Sequence, residues 1–545
     1  MFCILILLQT GTIIQEINGG GLIMKFIKKI TCSAILFMFM VGCGNSVNEE
    51  LELIDEKNYH EYLDNNIELG YISDLFPDED LAIVIARTLD RLIEEREITI
   101  YSAVTQEDLN EIESLWATPT IEGNESLIIR SFAGMEYLTN LTELRAGFNE
   151  INDLTPLSML IKLEVLALDQ NEINDLHPLR YLINLRRLSL DRNEIEDLSP
   201  LVNLTNLAHL DLNYNEIRYL DPLSNLYNLT TLNVSDNNIN DFSTLSNLNL
   251  STLNLSNNEI NDFSSLTDFE GLSSLSLDGN RINNISFLSY LPTLSGLSLN
   301  NNDIVDITPL SNLEQLGGLS LNNNEISDLS PLSNLENLSS LHLGNNEISD
   351  LNPLSGLGLV ELYLENNNIY DLPPLAINNW HSPLQILVLN NNQITDLSPL
   401  SEISTLTWLD LGNNQITDLS PLISLNWLMR LDLNDNEISD LTPLSYLTNS
   451  WFRFLDLRNN RIVSVQPIAD LHLIWLNLDG NNIQDIETVC RIFENIPDHF
   501  LLDLSDYDFF NSHQRIPFIN SHGSLGIPIP LHDVGEIVGD FNCSA

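Results

Sequence analysis

Positive charge is scarce in this sequence: 22 Lys and Arg stand against 77 Asp and Glu in 545 residues, a net charge of -55 at pH 7. Such a chain repels phosphate backbones and anionic lipid headgroups, which excludes nucleic acid as an expected partner. Most of the acidity reads as a solvated exterior. Cysteine is scarce too: Cys3, Cys32, Cys43, Cys490 and Cys543 form no CxxC pair and no Cys/His cluster with zinc spacing. No apolar run approaches the ~20 residues of a membrane-spanning helix. GxSxG, HExxH, Walker and dinucleotide fingerprints are missing, so neither an enzyme nor a cofactor is expected. His499, His513, His522 and His532 recur without ligand spacing. The oxygen-rich stretch from Asp479 to Glu487 is interrupted by Ile483, and no EF-hand pattern follows it. No metal site is expected.

The start of the chain is read as targeting. From Met24, Lys25, Lys28 and Lys29 precede an apolar run from Ile30 to Val41, followed by Gly42 and Cys43, the layout of a cleaved signal. Met40-Val41-Gly42-Cys43 resembles the lipobox of bacterial lipoproteins, with Met40 where Leu is most often found. That resemblance implies Cys43 as the lipid-modified residue, and so a membrane held by lipid anchor only, with the protein facing outward from a bacterial envelope. Residues 1–23 fit no targeting pattern and read as an upstream extension, residues 24–42 as the signal peptide, and residues 43–70 as an acidic tether. Cys490 and Cys543 then remain, either bridged across a C-terminal cap or as two free thiols.

The body of the chain is a refrain. An Asn preceding "xI" recurs at Asn149, Asn171, Asn193, Asn215, Asn237, Asn258, Asn280, Asn302, Asn324, Asn346, Asn367, Asn392, Asn414, Asn436, Asn460 and Asn481. The spacing is mostly 22 residues, ranging from 21 to 25, and the unit reads LxxLxLxxNxI. In "WLDLG" two leucines alternate with polar residues, the period of a strand with one buried face. Stacked units would make these strands parallel neighbours with a continuous leucine core. The Asn column, including Asn171, Asn193, Asn215, Asn324, Asn346, Asn414 and Asn436, is expected to satisfy buried backbone groups of adjacent turns as a structural ladder. "DLSPL" predicts a short 3₁₀ turn with Ser420 as its N-cap and Pro421 at its first position.

These repeats, as in "NEISDLSPLSNLENLSSLHLGNNEI", resemble the leucine-rich repeats of the bacterial internalin family. The stretches "ISDLFPDEDLAIVIARTLDR" and "AVTQEDLNEIESL" resemble its helical N-terminal cap. Their residues agree: Leu81, Val84, Ile85, Leu89 and Leu92 form a helical stripe after Asp78, and Thr105 is placed to cap a second helix bearing Leu109, Ile112 and Leu115. The expected fold is an α/β solenoid, a leucine-rich repeat horseshoe with a parallel concave β-sheet, short 3₁₀ turns on the convex side and a helical N-terminal cap. The cap would span residues 71–125, the repeats 126–486, and a C-terminal half-repeat and cap 487–545. The likeness departs at the C-terminal end, where no LPxTG-type motif or immunoglobulin-like domain follows the repeats.

Function is sought on the sheet positions free of packing. The residue before the first strand Leu is small through the middle repeats and becomes Ile386, Trp408, Arg430, Phe454 and Trp475 near the end. The next column adds His342, Tyr363 and Val388. Trp, Tyr and Arg are the residues of binding hot spots, so this concave patch is the candidate ligand site. Phe454 and Trp475 have a second reading, cover by the C-terminal tail. Arg187, Arg192 and His209 form a secondary patch, either a charged contact or a solubilising one. The expected function is non-catalytic recognition of a protein ligand, or else of a glycan, by a monomer. A structural envelope protein, or an intracellular phosphatase-regulator-like protein if the signal is not processed, are the alternatives.

Overall fold

The computed structural model describes residues 68–93, 97–119, 121–122, 125–372 and 384–495. Residues 1–67, which include Cys43, and residues 496–545, which include Cys543, lie outside the described residues.

Each repeat contributes one three-residue strand, and the alternation of its sequence decides which face is buried. In Trp408–Asp410 the central Leu409 is fully buried while its two neighbours are half-buried. Sixteen such strands, from Glu143–Arg145 to Trp475–Asn477, pair in parallel and in chain order. A seventeenth, Ser114–Trp116, pairs ahead of them. The matching leucines form one hydrophobic core that runs through every repeat.

The ladder asparagines tie the repeats to one another. Asn414 Nδ2 donates to the carbonyls of Leu411 and Gly412 in its own repeat and of Leu389 in the preceding one. Its Oδ1 accepts from Ile394 N–H of the preceding repeat at 2.9 Å. Asn171, Asn193, Asn215, Asn324, Asn346 and Asn436 make the same bonds. Asn280 differs: its buried Oδ1 has no partner, and Asn302 Oδ1 accepts from both Asn280 N–H and Ile282 N–H. The residue just ahead of each ladder Asn takes a left-handed backbone, from Phe148 at φ 62° to Asn459 at φ 52°. Asn, Asp or Gly fills most of these positions because those residues enter that region at least cost.

The opposite edge is built from 3₁₀ turns, and here one expectation is corrected. Ser420 is the first residue of the turn Ser420–Ser424 rather than its N-cap, which puts Pro421 second rather than first. Asp418 Oδ1 accepts both Ser420 N–H, at 2.8 Å, and Ser420 Oγ, at 2.6 Å. A carboxylate two residues ahead reaches this backbone N–H, as a hydroxyl on the same residue cannot. Asp328 and Asp440 serve Ser330 and Thr442 in the same way.

At the N-terminal end, helix Glu79–Leu92 begins at Asp78, whose Oδ1 accepts Leu81 N–H at 3.0 Å. The other carboxylate oxygen accepts Arg130 and Ser131 N–H, which joins this cap to the first repeat. Leu81, Ile85 and Leu89 are buried, but Leu92 at the helix end is exposed. Thr105 forms a capping box with Asp108, yet its helix ends at Asn110. Leu115 belongs instead to the strand Ser114–Trp116, because the buried Leu between two exposed neighbours continues the sheet's alternation. At the other end, helix Ile486–Asn495 packs Val489 and Ile492 into the core.

Replacing Asn324 with Ala removes the acceptor of Ile304 N–H and the donor to the Leu299 and Leu321 carbonyls. We expect a loss of about 3 kcal/mol, since buried groups left unpaired cost roughly 1–3 kcal/mol each. The exposed Asn334→Ala should stay within about 0.5 kcal/mol. Urea denaturation midpoints decide, and equal midpoints for the two variants would remove the ladder as the organising contact.

Candidate functional site

Parallel pairing without register shift turns repeat positions into columns. Ile386, Trp408, Arg430, Phe454 and Trp475 stand in successive register, each opposite the next. In the second column His342, Tyr363 and Val388 follow one another, continued by Asp410, Asp432 and Asp456. Trp408, Arg430, Phe454 and Trp475 are half-buried, as are His342, Tyr363 and Ile386. Val388 is the exception. It is only 6% exposed between its in-register neighbours Tyr363 and Asp410, so it adds no accessible apolar surface.

The larger side chains brace one another. The His342 ring stacks on Tyr363 with centroids 4.3 Å apart, and Tyr363 meets Trp408 edge-on at 6.3 Å. The Arg430 guanidinium lies 4.9 Å from the Trp408 ring centroid. Asp432, almost fully buried, accepts Arg430 Nε–H at 2.7 Å and Trp408 Nε1–H at 3.3 Å. One carboxylate thus orients both the Trp and the Arg. A second ion pair, Arg458 with Asp456 at 2.7 Å, stands in the neighbouring repeat.

Burial dominates the electrostatics of this face. It pushes the His342 imidazole down to about 4, so the ring is neutral at pH 7. Burial, with help from Glu361 and Glu365, pushes the Tyr363 phenol up. Asp410 is raised to about 7 by burial first and by Asp432 second. Asp432 is raised by burial as well, with Arg430 opposing. Beside Asp410 the loops after three strands enclose an open cavity of about 350 Å³, lined by Asn390, Asn391, Asp410, Gly412, Asn413, Asn434 and Asp435.

The expected secondary patch divides in two. Arg187 Nη2 donates to His209 Nε2 at 3.4 Å, and burial followed by Arg187 lowers the His209 pKa. Arg192 lies instead in the following turn, its guanidinium 4.2 Å from the Tyr214 ring centroid. Cys490 takes part in a disulfide, and its expected partner Cys543 is outside the described residues. Among the described residues no three His, Cys, Asp or Glu side chains are grouped to hold a metal ion.

Two exposed tryptophans were missed by reading only the strand columns. Trp427 is 63% exposed and Trp451 is 54% exposed, each three residues ahead of Arg430 and Phe454 respectively. In six other repeats that position is an Asn, and for Asn184, Asn206, Asn228 and Asn337 the Nδ2 donates to a carbonyl of the preceding repeat. The signal available in the sequence was a pair of tryptophans at a position that the other repeats fill with Asn or another small or polar residue. Two exposed tryptophans thus precede the strands that carry Arg430 and Phe454.

The carboxylates have opposite effects on stability at the sheet face and at the turns. Asp410, near 7, and Asp191, pushed up to about 6 by burial and then by Asp211 and Asp169, bind protons in the folded state where the unfolded chain does not. Such groups make stability rise as pH falls from about 8 through their folded pKa values toward about 4. Asp306, Asp328, Asp396, Asp418 and Asp440 are held below the usual range by hydrogen bonds from the residue two positions on. Their contribution is present above about 4 and is lost below it. The melting temperature should therefore be higher at about pH 5.5 than at about pH 8. Asp410→Asn should raise it at the higher pH and reduce the difference, and a melting temperature independent of pH in this window would contradict the burial of these acids.

The family description "Leucine Rich repeats (2 copies)" matches residues 183–225, 205–247, 318–356 and 404–446, and "Leucine rich repeat" matches 357–416. No curated protein matches the sequence. Among solved structures, an internalin (inlF) of Listeria monocytogenes is 30% identical, covering 76% of this chain and 98% of its own, with a TM-score of 0.42. A leucine-rich repeat protein of Leptospira interrogans is 25% identical, covering 68% of this chain and 98% of its own, with a TM-score of 0.60. The functional domain of InlJ from Listeria monocytogenes is 25% identical, covering 74% of this chain and 78% of its own, with a TM-score of 0.50. With its parallel sheet, 3₁₀ turns and matched repeats, the chain is an internalin-like leucine-rich repeat protein.

Proposed function

We propose that this protein is a non-catalytic binding protein, held on the outside of a bacterial cell through lipid on Cys43, that recognises a protein ligand with the C-terminal part of its concave sheet. The observation that carries the binding reading is the assembly of Tyr363, Trp408 and Arg430 braced by Asp432. These side chains have no packing duty in the leucine core. They are held in place before any ligand arrives, which lowers the entropy lost on association. Trp, Tyr and Arg in a half-buried setting are the residues that dominate binding energies. Trp427 and Trp451, both exposed in the same repeats as Arg430 and Phe454, offer further apolar surface to a ligand.

The test is a pull-down from envelope and host-cell extracts with the wild-type protein and a Trp408→Ala/Arg430→Ala double variant, whose folding is checked by its melting temperature. We expect a protein captured by the wild type to be lost, with a weakening of about 2 kcal/mol or more. An identical set of captured proteins would overturn the reading. Localisation is tested separately. Cys43→Ala, or globomycin treatment of the wild type, should move the protein out of the membrane fraction, and retention there after both would remove the lipid anchor.

A further inference from the structure

We propose that the cavity beside Asp410 receives a lysine or arginine side chain from the protein ligand, so that the segment docking on this face is basic. This rests on the binding function proposed above and names the chemistry of its partner.

Three observations converge. The first is the cavity itself, about 350 Å³ and open, lying at the C-terminal ends of the strands Ile386–Val388, Trp408–Asp410 and Arg430–Asp432. Gly412 keeps its floor clear: a Cβ there would lie 2.6 Å from Asn434 Oδ1, too close for any side chain without displacing Asn434.

The second is the balance of donors and acceptors. Asn413 Nδ2 donates to Asn391 Oδ1 at 2.6 Å, and Asn434 Nδ2 donates to Asp435 Oδ2 at 2.8 Å, so two of the four lining amides are engaged by other lining residues. The Asp410 carboxylate accepts from Gly412 N–H at 3.0 Å. A carboxylate has about four acceptor directions, and one backbone N–H leaves most of them open. A group that brings several N–H donors and no acceptor is the complement, which describes an ammonium or a guanidinium.

The third is charge. The lining contains two carboxylates and no cation. Two arginines of the neighbouring strands and turns are already committed, Arg430 to Asp432 and Arg458 to Asp456. Asp410 is left with its charge disfavoured by burial and by Asp432. A cation arriving from outside removes that penalty, whereas an anionic or apolar side chain does not. Trp408 stands two residues ahead of the lining Asp410 on the same strand.

The probe is a short acetylated, amidated peptide carrying four arginines, compared with the same peptide carrying four citrullines, the neutral isostere. Binding to the full chain is measured by calorimetry in about 0.15 M salt, a concentration that screens diffuse attraction. We expect the arginine peptide to bind at least about tenfold more tightly than the citrulline peptide, and Asp410→Asn to weaken it about fivefold or more. Gly412→Leu, which fills the floor, should weaken it as well. Asp440→Asn removes the same charge from the 3₁₀-turn edge and should leave affinity within about twofold. Equal binding of the two peptides, equal weakening by Asp410→Asn and Asp440→Asn, or full displacement by millimolar calcium would each overturn the proposal. A ligand captured by wild type and by Asp410→Asn, but lost in the Trp408→Ala/Arg430→Ala variant, would overturn it while leaving the binding function intact.

Discussion

The rest of the structure depends on one amide. A ladder asparagine such as Asn414 holds two carbonyls of its own repeat with the same nitrogen that holds a carbonyl of the repeat before, and its oxygen takes that earlier repeat's Ile394 N–H. Neither repeat can slide against the other without leaving a buried backbone group unpaired. The register of the strands is therefore set from beside the sheet as well as by the sheet's own hydrogen bonds. The left-handed residue ahead of each ladder Asn belongs to the same constraint, because the turn must bring the amide inward. Once the repeats are held this way, equivalent positions stack at a strand spacing of about 4.8 Å, and a substitution on the outer face has fixed neighbours.

That regularity is why much of the molecule was legible in the sequence. The period of the leucines gave the sheet, and the in-register columns followed from counting residues. What counting missed were properties that depend on a neighbour's size. Val388 and Tyr363 occupy adjacent places in one column, yet Val388 is buried and Tyr363 is half-exposed. Leu115 fits a helical stripe by spacing, and only its pairing with Leu144 makes it a strand residue. Ser420 has the identity of a cap, but Asp418 lies two residues closer to the entry of the turn and takes the bond. Trp427 and Trp451 escaped because they stand outside the strand, at a position that several repeats fill with an asparagine.

The chain's acidity also separates into parts that composition could not distinguish. Aspartates at the 3₁₀ turns accept hydrogen bonds from the residue two positions on and are stabilised as anions. Asp410, Asp432 and Asp456 are consecutive in one column of the sheet face, where like charges in register repel. Arg430 and Arg458 compensate two of the three. Local rules are broken at this row and kept at the turns, and such violations are expected where a surface serves something other than its own stability.

The same row explains how a rigid patch can be built from long side chains. Tryptophan and arginine on an open sheet would ordinarily sample several rotamers, and ordering them on binding costs roughly 0.5–1.5 kcal/mol each. Here Asp432 is buried enough that its two hydrogen bonds act in a medium less screened than water, and Tyr363 closes the remaining side of Trp408. Burying that carboxylate is unfavourable by itself, as its raised pKa records. Its partners offset the cost only while both are in place, so losing Arg430 leaves a buried acid as well as a missing contact. The stability given up at Asp432 and the order gained at Trp408 are thus two consequences of one contact. A sheet face whose only purpose was to cover leucines would have no use for either.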